Sequence, residues 1–190
     1  MSKKALVLID YQQGFGNPDH WGGPRNNPDA ETNGLRLLKA WRDADAPVAI
    51  VQHSSRSEAS PLHPSKPTFA FKAGFDPIKG EKHIVKHENS SFVGTDLDVW
   101  LRQNDIRDLV ICGITTEHCV STTTRMAGNF GFGVRLVGDA CHAWPKTHNG
   151  TFIDAQTIHD TELAILHGEF ATVVSTDDVL AQDFKEEAAP

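Results

Sequence analysis

Cysteine is scarce in this chain: three residues in 190, at Cys112, Cys119 and Cys141. An odd, low count excludes a disulfide framework. It leaves free thiols, which persist where the surroundings are reducing, so a cytoplasmic location is expected. Long apolar runs are missing too. None approaches the roughly 20 residues a bilayer-spanning helix needs, and the apolar stretch after Met1 is too short for a signal peptide. Basic residues are in deficit, 18 Lys and Arg against 25 Asp and Glu, for a net charge of −7. That argues against nucleic acid or an anionic membrane as a main partner, though not against a small anionic substrate. Internal repeats, low-complexity blocks and linkers are also absent. The chain reads as one domain over residues 1–182 with a real hydrophobic core, followed by a frayed tail over 183–190.

What is present is an alternation of apolar runs and helical patterns. Ala5 to Ile9, Val48 to Val51, His83 to Lys86, Leu109 to Cys112, Gly133 to Val137 and Ala171 to Val174 read as six strands. Continuous apolar runs suit parallel strands covered on both faces. Between them, Asn27-Pro28 opens a helix carrying Leu35, Leu37, Leu38 and Trp41. Thr95 and Asp98 resemble a capping box. A third helix runs from about Cys119 to Phe130 despite the poor helix formers Ser121 to Thr124. A fourth covers about 152–167, with Ile158, Leu163, Ile165 and Leu166 as core candidates. Such alternation predicts an α/β fold, a three-layer α/β/α sandwich with a six-stranded, mostly parallel sheet. The Ser/Pro/His/Gly-rich stretch 53–80 is a long loop, of the kind that is usually functional or mobile.

In such sheets ligands bind outside the carboxyl ends of the strands. Three chemically capable residues fall there: Asp10 after the first strand, Lys86 ending the third, and Cys119 after the fourth. Each alone has a plainer reading, as a turn residue, a solvated charge and a small buried hydrophobe. Together they make a kit of carboxylate, ammonium and thiol. A thiol at a helix N-terminus is biased toward thiolate, a strong nucleophile.

The run Ala5 to Phe15 is similar to the strand–Asp–x–Gln–x–x–Phe opening of the isochorismatase-like, or cysteine hydrolase, family. Lys86 to Phe92 resembles its lysine segment, Gly113 to Val120 its Gly-x-x-Thr-x-x-Cys-Val turn, and Val137 to Ala140 its next strand end. The likeness runs in order from residue 5 to about 175. It implies a Rossmann-like fold, an Asp10–Lys86–Cys119 catalytic triad, a cis peptide at Ile114–Thr115, and a homodimer or larger homo-oligomer. The reaction it implies is hydrolysis of a small amide through a thioester, with the backbone N–H groups of Thr115 and Cys119 as oxyanion hole. Two alternatives stay open: vinyl-ether hydrolysis with Asp10 as acid, and a non-enzymatic ligand-binding or redox-sensing protein.

Nicotinamidases of this family bind a metal through Asp-x-His after the second strand and a further His. Here the segment is Gln52-His53-Ser54, with His63 ten residues on and no carboxylate. Two histidines fall short of the usual three protein ligands, so neither metal nor cofactor is expected. His53 is read as a pocket-wall residue. Phe15, Trp21, Phe92 and Trp144 lie near presumed rim loops and suggest apolar walls for a flat substrate. Trp144 could also serve a neighbouring subunit. Cys112 is read as buried and inert, and Cys141 as structural.

Overall fold

The computed structural model describes residues 3–184. Six parallel strands form the central sheet in the order β3-β2-β1-β4-β5-β8: β1 Lys3–Ile9, β2 Val48–His53, β3 Lys82–Lys86, β4 Ile106–Ile114, β5 Gly133–His142 and β8 Thr172–Val174. Ala5 to Ile9 are buried throughout, as expected of a central strand covered on both faces. Two short strands, β6 Lys146–His148 and β7 Thr151–Ile153, pair separately as an antiparallel hairpin. Asn149-Gly150, both at positive φ, make its turn.

The helices are α1 Pro18–Trp21, α2 Ala30–Asp43, α3 Leu97–Gln103, α4 Ser121–Asn129, α5 Ala155–Leu166 and α6 Thr176–Asp183. In α2, Ala30, Gly34, Leu37, Leu38 and Trp41 form one buried stripe at helical spacing. Gly34 is required there, because a Cβ would come within 2.6 Å of Tyr11 Oη. Helices α2 and α6 pack on each other and on β5, and α4 and α5 pack on each other and on β5.

Several boundaries differ from the sequence reading. Helix α2 starts at Ala30, not at Asn27-Pro28. Asn27 instead has a left-handed φ of 44°, and its side-chain amide donates to Gly138 O and Cys141 O. Thr95 and Asp98 form no capping box; the helix begins at Leu97, and Thr95 Oγ1 donates to Ser91 O. Residues 151–153 are strand, so α5 begins later, capped by Asp154 accepting from Thr157 N. Its buried positions are Ala155, His159 and Leu166, whereas Ile165 is half exposed because it sits off that stripe. Helix α6 went unread, although Ser175 and Asp178 form a full capping box at its start.

Of the tail expected to fray, residues 185–190 lie outside the described residues. Asp183 and Phe184 are tied down: Asp183 pairs with Lys4 and Arg135, and Phe184 packs edge-on against Trp41. No helix among the described residues is long and apolar enough to cross a membrane.

Candidate active site

Strand order reverses between β1 and β4: the chain moves out to β2 and β3 on one side, and to β5 and β8 on the other. A crevice opens at such a switch point. Asp10 leaves β1 there with a φ of 55°. That is a left-handed conformation a non-glycine residue adopts at a cost, and the carboxylate it carries is buried against Lys86. Beside it, next to last in β4, is Gly113, whose added Cβ would lie 2.1 Å from Ile9 O. Only glycine lets β4 run this close to β1. The Ile114–Thr115 peptide is cis.

Cys119 does not begin a helix. It lies inside a π-helical turn, Thr116–Val120, that precedes α4. Such turns are rare and concentrate at functional sites. Lys86 closes β3 two strands from β1, and its long side chain crosses the end of β2 to reach the others.

The three meet. Lys86 Nζ donates to Asp10 Oδ2 at 2.7 Å and to Cys119 Sγ at 3.2 Å, with both Asp10 and Lys86 side chains fully buried. It also lies 3.1 Å from His53 Nδ1 and 3.2 Å from Glu88 O. Asp10 Oδ1 is buried without a partner, so one carboxylate oxygen anchors the lysine and the other remains an open acceptor.

Burial opposes the charge on Lys86, but the Asp10 carboxylate and Cys119 outweigh it, and the ammonium sits above its ordinary range. Burial, reinforced by Asp10 and only partly offset by Lys86, pushes the Cys119 thiol up to about 12. This corrects the expectation of a thiolate favoured by a helix start: the residue is deep and off the helix end, and desolvation dominates. His53 is lowered by burial and then by Lys86. With Nδ1 facing an ammonium, its remaining proton belongs on Nε2.

Asp10, His53 and Cys119 each offer a ligand atom, all within 4.8 Å of one another. The space among them fits a metal poorly, because Lys86 Nζ contacts all three. His63 does not join the group; its Nδ1 is 2.8 Å from Ser65 Oγ.

A cavity of about 110 Å³ opens over Cys119, lined by Phe15, Trp21, Leu62, Trp144, His53, Asn89, Thr115, Glu117, His118 and Lys146. Phe15 stacks on Trp21, and Trp21 lies nearly parallel to Trp144. Trp144 thus lines the pocket of its own chain. Phe92 is elsewhere, packed against Phe130 and Phe132. Leu62, Asn89, Glu117 and Lys146 were missed. Of these, only Glu117 carried a signal, being two residues from the cysteine. A wider depression of about 1020 Å³ lies at the opposite strand ends, among Lys4, Trp41, Leu109, Val134 and Phe184, and holds none of the three central residues.

Gln12 fixes the long loop to this rim. Its amide accepts from His53 N at 2.8 Å and donates to Phe69 O at 2.8 Å and His53 O at 3.1 Å. The loop thereby delivers Leu62, 4% exposed, to the cavity wall.

Residues 4–178 match the Isochorismatase domain family. The chain is 45% identical over 179 residues to the isochorismatase family protein YrdC of Bacillus subtilis, covering 94% of this chain and 95% of that protein. An isochorismatase-family structure from Chromobacterium violaceum superposes with a TM-score of 0.90 at 42% identity, covering 94% of this chain and 92% of the other. Nicotinamidase of Escherichia coli is 34% identical over 90 residues, 45% of this chain and 41% of the enzyme. Sequence, fold and strand-end chemistry agree that this chain belongs to the isochorismatase family of hydrolases.

Proposed function

We propose that the protein hydrolyses the C–N bond of a small amide through a covalent thioester on Cys119. The observation that carries this reading is the buried Lys86 ammonium bridging Asp10 at 2.7 Å and Cys119 at 3.2 Å beneath a small cavity. The likeness to a nicotinamidase, whose name is that of an amide hydrolase, supports the same class.

With its thiol pushed up to about 12, Cys119 is protonated at rest. Asp10 takes the Sγ proton as the sulfur attacks the carbonyl carbon, so base and nucleophile act in one step. The tetrahedral oxyanion is held by the N–H groups of Thr115 and Cys119, each such donor contributing roughly 3–4 kcal/mol. Asp10 returns the proton to the leaving nitrogen and the C–N bond breaks. Water then attacks the thioester with Asp10 again as base, the acid departs, and the proton passes back to sulfur. Lys86 holds Asp10 in place and balances charge as it moves. Phe15, Trp21 and Trp144 give the substrate a flat apolar bed. His53 offers Nε2–H to a substrate acceptor. The working form is a homodimer or larger homo-oligomer, which sedimentation would test.

A screen of small primary amides, wild type beside Cys119→Ala, tests the reading. Ammonia release by the wild type and an acyl-enzyme mass adduct absent from the variant are expected. Amide turnover that survives Cys119→Ala at the native rate removes covalent catalysis.

A further inference from the structure

Glu117 is the one carboxylate among the described residues lining this pocket, and the proposed chemistry does not use it. It sits in the π-helical turn two residues before Cys119 and lines the same cavity. Its side chain is only 9% exposed. Both carboxylate oxygens are buried and neither accepts a hydrogen bond. Lys146 Nζ comes within 3.1 Å of Oε1, but without hydrogen-bonding alignment and from a side chain that is itself 38% exposed. His118 Nδ1 is farther, at 3.9 Å. A buried carboxylate with no aligned donor is costly, and its one close cation leaves both oxygens with acceptor capacity that a ligand can fill. The rest of the cavity is mostly apolar, with Phe15, Trp21, Leu62 and Trp144 as walls.

We propose that Glu117 is the specificity-determining residue, anchoring a protonated amine on the acyl side of the substrate, so that the enzyme selects small cationic amides. This rests on the amide reading of the same pocket. The volume, about 110 Å³, is near that of one ring or a short chain. Lys146 flanks the carboxylate from the rim strand β6 and competes with the substrate cation for it.

The test uses isosteric pairs in which an ammonium replaces a methyl: glycinamide with propanamide, 3-aminopropanamide with butanamide, 4-aminobutanamide with pentanamide. One pair or more should show a kcat/KM preference for the cation of about tenfold or greater, the range of a charge-assisted hydrogen bond. Glu117→Gln should bring that ratio close to one, Glu117→Asp should keep part of it, and Lys146→Met should raise it. Melting curves identify any variant that fails to fold. The same pairs are titrated by tryptophan fluorescence into Cys119→Ala protein with and without Glu117→Gln. Cation-selective binding that depends on Glu117 upholds the subsite even if no amide is cleaved, in which case the amidase reading alone falls. Turnover with no cation preference, a ratio unmoved by Glu117→Gln, or no binding of any cationic member overturns the subsite.

Discussion

Lys86 keeps its ammonium although burial disfavours the charge, because Asp10 and Cys119 face it directly. Breaking such a buried pair from one side leaves an uncompensated charge, at a cost of about 3–5 kcal/mol. Lys86→Met and Asp10→Asn should therefore each lower stability in urea titrations, and the double variant should be more stable than their summed effects allow. All three should be inactive. Cys119 makes a second expectation possible. A thiol pushed up to about 12 holds little thiolate at neutral pH, so alkylation of Cys119 by iodoacetamide should climb about tenfold per pH unit between 7 and 9. A rate already at plateau near pH 7 would show that Lys86 wins over burial. The meeting of Asp10, Lys86 and Cys119 was legible in the sequence because strand ends mark where chemistry gathers. Glu117 was legible only by its place two residues before Cys119, since nothing in a pattern of residue types reveals that an acid is buried without an aligned donor.

At the scale of single elements, the close pass of β4 over β1 depends on one residue. Gly113→Ala places a methyl 2.1 Å from Ile9 O at a φ of 145°. It should cost more than about 2 kcal/mol and lower turnover by moving the Cys119 turn. Helix α6 offers the opposite case. Ser175→Ala removes the acceptor for Asp178 N at 3.1 Å and should cost about 1 kcal/mol without touching kcat/KM. The strands were readable because β1, β2 and β4 are continuous apolar runs. Helix starts were less so. Asn27-Pro28 looks like a cap, yet tertiary bonds to Gly138 and Cys141 recruit Asn27 for a different task. The π turn around Cys119 has no local signature at all; it is set by what packs on it, including His159 of α5 against Thr116 at 2.8 Å.

Across the whole molecule, buried titratable groups shape the response to pH from both sides. His142 is fully buried with both ring nitrogens unpartnered. Burial first, then Arg25, push it down to about 3, with Lys72 and His159 adding and Glu31 opposing. Between about 3 and 6.5 the unfolded chain holds a proton there that the native state refuses, so stability falls as pH drops through that window. Glu31, held down near 2 by Arg25 and Lys72 against its own desolvation, adds a further loss below about 4.5. On the alkaline side, burial pushes Cys112 and Cys119 up to about 12 from 9.0, and stability they supply below 9 drains away as pH rises toward 12. Urea midpoints at pH 5, 7 and 9.5 should peak at 7. His142→Phe should flatten the acid limb; an unchanged limb would place that loss elsewhere.

The reach of Lys86 across β2 carries one more consequence. Strand β3 is one of the two edge strands of the sheet, and edge elements open at lower free energy than the centre. The ammonium that organises the pocket is thus mounted on a peripheral part of the fold. Enzyme activity should fade at urea concentrations where helical circular dichroism is still intact, and amide exchange over Lys82–Lys86 should quicken in step with that loss. Turnover then reports the attachment of a single border strand, well before the protein as a whole gives way.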